Sequence, residues 1–408
     1  MERERDTDMY NIRKVTDDIT WIGASDRRLA LFENIFPISR GVSYNSYILV
    51  DEQTVLFDTV DASVAGQFFE NLEAVLEGRT LDYLIVNHME PDHCAMIGDI
   101  VRRYPDVKIV GNTKTFGMMN QFFGTDFAER SIVVKEGDTL SAGKHTLHFV
   151  MAPMVHWPEA MVTYDDVDKV LFSADGFGSF GALNGNIFAD EVDFDRDWLD
   201  DARRYYTNIV GKYGASVQTL LKKAAGLDIA MICPLHGPVW RENLPYILKK
   251  YQKWSTYEAE DQAVVIMYAS MYGNTASAAD ALAGALAVRS VKKIAVYDVS
   301  NTHVSELISE IFRASHLVFA VPTYNAGIYP VMENLLSDMK ALAVQKKTVA
   351  VMENGTWAPT AAKQVKEKLG EMKDMTILDA GLTIKSAMHA GQKAELDALA
   401  DEIVKSMM

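Results

Sequence analysis

Cysteine is nearly absent. The chain of 408 residues has two, Cys94 and Cys233, and no Cys-x-x-Cys pair. That excludes a disulfide framework and the thiolate sites of iron–sulfur or zinc-ribbon modules. Each thiol reads as a small buried hydrophobe. No apolar run reaches the length of a membrane span, and the charged stretch Met1 to Tyr10 lacks a signal-peptide core. Positive charge is scarce too: 40 Lys and Arg against 56 Asp and Glu leave a net charge of −16. Such a surface disfavours nucleic acid and anionic membranes, and can steer a basic or metal-bearing partner. The expectation is a reduced, cytoplasmic protein that binds neither nucleic acid nor membrane.

What is present begins with length. With 408 residues and 49% hydrophobic side chains, the chain can build two cores. Strands are expected near Asn11–Trp21 and Val42–Tyr47, with a hairpin joining Tyr47–Val50 to Thr54–Asp58. Helical spacing over Val64–Leu76 puts Phe68, Phe69, Leu72, Val75 and Leu76 on one face, and Gly78 ends it. A strand to His88, a helix over Met96–Tyr104 and a strand over Val107–Val110 follow. Strands and helices alternate, so the class is α/β.

The densest chemistry is His88-Met89-Glu90-Pro91-Asp92-His93, directly after the apolar run Tyr83–Val86. Pro91 forbids a regular ladder or helix there. Four ionisable side chains so close together need compensation, and a metal ion gives it, since neutral imidazole and carboxylate are metal ligands. The plain alternative is a polar turn with Asp92 as a helix cap. Three further residues also follow apolar runs: His156 after Leu147–Pro153, Asp175 after Val170–Ala174, and His236 after Ile229–Leu235. Singly, each has an ordinary reading as a packed histidine or a turn residue. Shared placement after strands lets all three converge on the His88 loop. The expected donors are His88, Glu90 and His156 for one metal, Asp92 and His236 for another, and Asp175 between them. Nitrogen and carboxylate oxygen without sulfur suit iron or manganese better than a soft-ligand metal, and zinc stays open. His93 is either a ligand or a hydrogen-bonding neighbour that orients one. His145, His148, His303, His316 and His389 read as structural. The Gly- and Phe-rich stretch from Gly176 is expected to cover the pocket, with Phe177 and Phe180 tuning access, and the acidic run Asp190–Asp195 to be a solvated loop.

Helices are expected over Trp198–Ile209, Ser216–Ala225 and Leu244–Trp254, and the polar segment Ser255–Gln262 marks a boundary. Domains are therefore expected at residues 1–254 and 263–408. Beyond the boundary, Ala263–Ala269 is a buried parallel strand running into Ser270-Met271-Tyr272-Gly273-Asn274-Thr275 and an Ala-rich helix. Hydroxyls and backbone N–H groups at a helix start cradle a phosphate, and without a lysine they suit a monoester. Two later strands end in Pro322-Thr323-Tyr324-Asn325-Ala326-Gly327 and Glu353-Asn354-Gly355-Thr356-Trp357. Tyr324 and Trp357 offer planar faces and Asn325 a polar edge, as an isoalloxazine ring requires. With Lys293–Val299 and Met375–Thr383 there are five strands, expected in the doubly wound order 2-1-3-4-5.

These motifs together resemble the flavodiiron proteins, also called A-type flavoproteins. The first half is similar to the metallo-β-lactamase αββα sandwich, with Glu90 where zinc hydrolases of that fold carry a histidine; the second half is similar to flavodoxin. The resemblance implies six ligands to two non-haem iron ions, His88, Glu90, Asp92, His156, Asp175 and His236, with His93 outside the set. It implies FMN at the three loops named, from Ser270 to Thr275, Pro322 to Gly327 and Asn354 to Trp357. The implied activity is reduction of O2 to water, NO to N2O, or both, with electrons passed through FMN. No rubredoxin or flavin-reductase module is expected beyond the flavodoxin-like half, and the expected donor is a separate molecule, rubredoxin or a reduced deazaflavin coenzyme. The family assembly implies a head-to-tail homodimer or a dimer of dimers. The competing reading is a zinc metallohydrolase with a flavodoxin-like interaction domain.

Overall fold

The computed structural model describes residues 10–408, and the charged N-terminal stretch lies outside them apart from Tyr10. The chain divides into two compact units. The first holds residues up to Tyr206 together with Ala215–Lys249; the second holds Thr207–Gly214 and Lys250–Met408. Among the described residues, no helix is long and apolar enough to cross a membrane.

The first unit is built on two sheets. One has seven strands in chain order: β1 (Arg13–Lys14), β2 (Ile19–Trp21), β3 (Tyr47–Val50), β4 (Thr54–Phe57), β5 (Tyr83–Ile85), β6 (Lys108–Gly111) and β7 (Ser131–Val133). The other has five: β8 (Thr139–Ser141), β9 (Thr146–Met151), β10 (Met161–Asp165), β11 (Val170–Phe172) and β12 (Met231–Cys233). Pairing is antiparallel from β1 to β4 and parallel from β4 to β7. In the second sheet only β11 and β12 run parallel. The inner faces share one core. Tyr47, Leu49, Val55 and Phe57 come from one sheet, and Leu147, Phe149, Met161 and Phe172 from the other. Phe57 and Phe172 stack across it with centroids 3.7 Å apart. Helix Ala65–Leu76 buries Phe68, Phe69, Leu72 and Leu76, and Glu77 closes it in a left-handed turn ahead of Gly78.

Some local expectations are corrected. Residues Pro91–Cys94 form a helical turn with the proline at its first position. A proline there loses no bond, because the first-turn N–H groups have no intrahelical partner. The expected helix over Trp198–Ile209 is regular only for Leu199–Tyr205 and then widens into a π-turn, Tyr206–Val210. Three residues of the acidic run are ion-paired, Asp190 to Arg241 at 2.8 Å, Glu191 to Arg13 at 3.3 Å and Asp193 to Arg196 at 3.8 Å. Helix Thr113–Phe123, capped reciprocally by Asn112 and Thr115, was not expected, nor were β7, β8 and β10.

The second unit has strands β13 (Asp261–Tyr268), β14 (Ile294–Asp298), β15 (Ala314–Tyr324), β16 (Thr348–Asn354) and β17 (Thr376–Ile384). They run parallel in the order β14-β13-β15-β16-β17, which is 2-1-3-4-5. Alternation along β13 splits two cores. Val265 and Met267 pack under helices Val304–Arg313, Pro330–Ala341 and Ala361–Gly370; Val264 and Ile266 pack under Asn274–Val288 and Lys393–Ser406. A strand buried on both faces reads as a continuous apolar run, as this one does.

Candidate functional site

In the first unit the chemistry collects beyond the carboxyl ends of four strands. The His88 loop follows β5, His156 follows β9, Asp175 follows β11 and His236 follows β12. Buried Asp58 pins the His88 loop by accepting from Asn87 N at 2.7 Å, Asn87 Nδ2 at 2.8 Å and His88 N at 3.1 Å. Burial pushes its carboxyl up to about 6, against the pull of Asn87. Ala174, next to Asp175, sits at φ +49°, a left-handed conformation that non-glycine residues rarely adopt outside constrained sites.

The structure brings all six expected ligands together, and they fall into two clusters. Nε2 of His156 lies 3.0 Å from both Glu90 Oε2 and Asp175 Oδ2, and Nε2 of His88 lies 3.2 and 3.3 Å from the same atoms. In the other cluster, His236 Nε2 is 3.3 Å from Asp92 Oδ2. His93 belongs there as well: its Nε2 is 3.0 Å from His236 Nε2, 3.2 Å from Asp175 Oδ1 and 3.5 Å from Asp92 Oδ2. Asp175 thus offers one oxygen to each cluster.

The other ring nitrogens are held from outside. Glu159 Oε1 is 2.8 Å from His88 Nδ1, and Ser43 O is 2.7 Å from His236 Nδ1. Both partners escaped the sequence reading; each is an unremarkable residue far along the chain from its histidine. Burial alone would push the Glu159 carboxyl up, but the His88 bond holds it below the ordinary value. Burial would likewise depress His156, yet Asp175 and Glu90 lift it to about 9. Burial would raise Asp175, yet His88, His93 and His156 hold it well below the carboxylate range. Imidazole and carboxylate thus each favour the other's charged form across the pocket.

The pocket fits metal ions by a direct criterion. Both Asp92 oxygens and Asp175 Oδ1 are buried and make no hydrogen bond. A bare buried polar atom costs about 1–3 kcal/mol, and more when charged, and coordination removes that cost. Phe177 and Phe180 are buried. Phe180 packs edge-on against Phe32 and Tyr205 at 5.4 and 5.3 Å, and those two rings each lie 5.5 Å from His236. Phe180 therefore backs the wall behind His236.

In the second unit, the loops after β13, β15 and β16 enclose a cleft of about 540 Å³. It is lined by Ser270, Met271, Tyr272, Asn274, Thr275, Pro322, Thr323, Tyr324, Asn325, Ala326, Asn354, Gly355, Thr356 and Trp357, and by Ala358 and Ser386, which the sequence reading missed. Gly273 and Gly327 shape their loops without lining the cavity. Gly273, at φ +90°, is the residue from which helix Asn274–Val288 starts. A Cβ on Gly355 would lie 2.6 Å from Pro359 Cα, so only glycine fits. Ser386 closes the far side, donating from N to Asn354 Oδ1 at 3.1 Å. The faces of Tyr272 and Trp357 stand at the rim, each 92% exposed.

Fold and site define a class: a lactamase-like sandwich with paired imidazole–carboxylate clusters, joined to a flavodoxin-like sheet with a cleft at its carboxyl edge. Comparisons with known proteins agree. Residues 42–237 match the family described as ODP family beta lactamase, and residues 266–402 match flavodoxin. An anaerobic nitric oxide reductase flavorubredoxin from Klebsiella pneumoniae is 31% identical over 391 residues, 94% of this chain and 78% of that one. The rubredoxin oxygen:oxidoreductase structure from Desulfovibrio gigas superposes with TM-score 0.89 at 29% identity, covering 97% of this chain and 98% of that one. A flavo di-iron protein from Thermotoga maritima gives TM-score 0.89 at 26% identity, with 97% and 98% covered. The chain belongs to the flavodiiron protein family.

Proposed function

We propose that the protein is an oxidoreductase that reduces O2 to water, NO to N2O, or both, with two non-haem irons in the first unit and FMN in the second. The observation that carries this reading is Asp175, whose Oδ2 faces His88 and His156 while Oδ1 faces His93. We assign His88, Glu90 and His156 to one iron, Asp92 and His236 to the other, and Asp175 to both, with His93 joining the second set. When bound, the irons supply Lewis acidity and electrons to a diatomic gas, and FMN relays electrons singly.

The chain's own residues hold these groups and keep water out. Glu159 and Ser43 O each accept the outer ring N–H of a ligand histidine, which leaves Nε2 free to coordinate. Phe32 and Tyr205 pack around His236 and exclude water. At the cleft, Ser270 and Thr275 would hold the FMN phosphate near the start of helix Asn274–Val288, and Tyr324 and Trp357 would offer aromatic faces to its ring.

The electron donor on this reading is a rubredoxin-type protein, as the name of the Desulfovibrio relative suggests, or a reduced deazaflavin coenzyme. The assembly on this reading is a head-to-tail homodimer or a dimer of dimers, in the cytoplasm. One experiment tests the whole. The purified protein is reduced anaerobically, O2 or NO is added, and flavin absorbance is followed alongside gas loss. Reoxidation with matched gas consumption and two irons per chain is expected. Two zincs with esterase activity and no gas loss would instead establish a hydrolase.

A further inference from the structure

A second group of metal-type ligands lies at the other end of the first unit's strands. His156 comes after the last residue of β9, and His145 comes just before its first. Asp175 follows β11 and Asp168 precedes it; Asp18 precedes β2. A six-residue strand such as β9 separates its two ends by about 20 Å. His145 is fully buried. Its Nε2 lies 3.1 Å from Asp18 Oδ2, its Nδ1 lies 2.9 Å from Asp165 Oδ1, and its backbone N–H donates to Asp51 Oδ2 at 2.9 Å. One donor atom from each of Asp18, His145 and Asp168 lies within 4.8 Å of the other two.

Three observations set this cluster apart from an ordinary polar turn. Asp165, itself fully buried, takes Nδ1 of His145 and also accepts the Asp168 N–H at 2.9 Å. A carboxylate behind the outer nitrogen is the arrangement that fixes the tautomer of a metal-binding imidazole. Asp168 Oδ2 is shut off from solvent and has no hydrogen-bond partner, which is costly for a charged oxygen unless a cation meets it. Charge is also out of balance. Asp18, Asp165 and Asp168 surround the imidazole and Asp51 holds its backbone N–H, while Lys144, on a side chain 59% exposed, reaches Asp18 Oδ2 at 2.9 Å.

The geometry points to a third metal site, in which His145 Nε2, Asp18 Oδ2 and an Asp168 carboxylate oxygen hold one divalent first-row cation of the zinc class. One imidazole with two carboxylates suits such an ion, with water completing its shell. Calcium and magnesium take all-oxygen sets, and the histidine selects against them. Donors on a common ion at about 2.1 Å stand about 3–4 Å apart, so the Asp168 side chain moves only slightly. The ion joins the turn before β2 in one sheet to the β8–β9 hairpin and β10–β11 turn in the other. It works as a clasp between sheets and takes no part in gas reduction.

The test uses the full chain loaded with iron and FMN, titrated with Zn2+ alone. Calorimetry and elemental analysis count bound zinc and retained iron in the same samples, and anomalous diffraction at the zinc edge locates the ion. One zinc beyond the iron sites is expected, next to His145, with a raised melting temperature. Asp168→Asn should weaken that binding by about 10-fold or more and abolish the thermal shift, while keeping iron and flavin. This variant removes no hydrogen bond of Oδ2, so it should fold even if His145→Gln does not. Absence of an additional zinc, an anomalous peak elsewhere, or binding unchanged in Asp168→Asn would each overturn the assignment. In that case His145 is simply an imidazolium held between Asp18 and Asp165.

Discussion

Oε1 of Glu159 lies 2.8 Å from Nδ1 of His88 and 2.8 Å from the backbone nitrogen of Met89. One buried carboxylate thus fixes both a ligand-type ring and the loop that carries it. Glu159→Ala should lower iron affinity and gas turnover by about 10–100-fold, read by elemental analysis and an oxygen electrode. Glu159→Gln keeps an acceptor and should recover part of the loss. Iron content and rate both at the parent level in the alanine variant would remove Glu159 from this role.

His93 is placed by geometry in the cluster with Asp92 and His236. Its Nε2 has Asp175 Oδ1 within 3.2 Å. His93→Ala should therefore drop bound iron by about one ion per chain and leave flavin content unchanged. Retention of both irons would make His93 only a neighbour of the ligands.

Phe180, expected to tune access to the pocket, is a buried ring packed edge-on against Tyr205. Phe180→Ala should cost about 3–5 kcal/mol in the unfolding of the first unit. Denaturant melts followed by a probe specific to that unit measure it. A loss under 1 kcal/mol, taken as about the cost of a surface change, would contradict the packing role.

Trp357 carries almost no folding burden, at 92% exposed. Trp357→Ala should leave the melting temperature of the deflavinated protein unchanged and weaken FMN binding by about 2- to 10-fold, the worth of one aromatic contact. Fluorescence titration of the deflavinated protein reads this directly.

Lys347 is buried at the amino edge of the second unit's sheet, and its Nζ donates to Phe312 O at 2.9 Å and Ala314 O at 2.8 Å. Burial pushes its amine down to about 7. The unfolded chain, with an ordinary lysine, holds more protons above that pH. Stability of this unit should therefore rise from about pH 7 toward the ordinary lysine range, by up to about 1.4 kcal/mol per pH unit. Lys347→Met should flatten that slope in pH-dependent melts. An identical slope in both proteins would show that Lys347 stays charged.

Much of this was legible because each piece of chemistry follows an apolar run. The strand before His88, the runs before His156, Asp175 and His236, and the three loops of the cleft are local patterns. What was missed depends on distance along the chain. Asp18 and Asp165, the partners of His145, lie 127 and 20 residues away, so a lone histidine in a hairpin read as structural. Glu159 meets His88 across 71 residues. The helix at Thr113–Phe123 carries Phe116, Met119 and Phe123 at helical spacing, but Gly117 stands in its middle. Its clearest sign, the cap at Asn112 and Thr115, is easily taken for a loop. Pro91 was read as a breaker because its missing N–H matters everywhere except the first turn, where it stands.

The short segment Thr207–Gly214 belongs with the second unit. Tyr257 donates its hydroxyl to Gly211 O at 2.9 Å, Asn208 Nδ2 reaches Ser305 O at 3.1 Å, and a Cβ on Gly214 would collide with Ser255 O at 2.4 Å. A fragment cloned from residue 263 onward would lack this strap as well as Tyr257. A protease nick in the polar linker would leave the strap attached to the wrong piece. Dissecting the molecule therefore calls for a circular permutant or an internal graft, because no single cut yields either half intact.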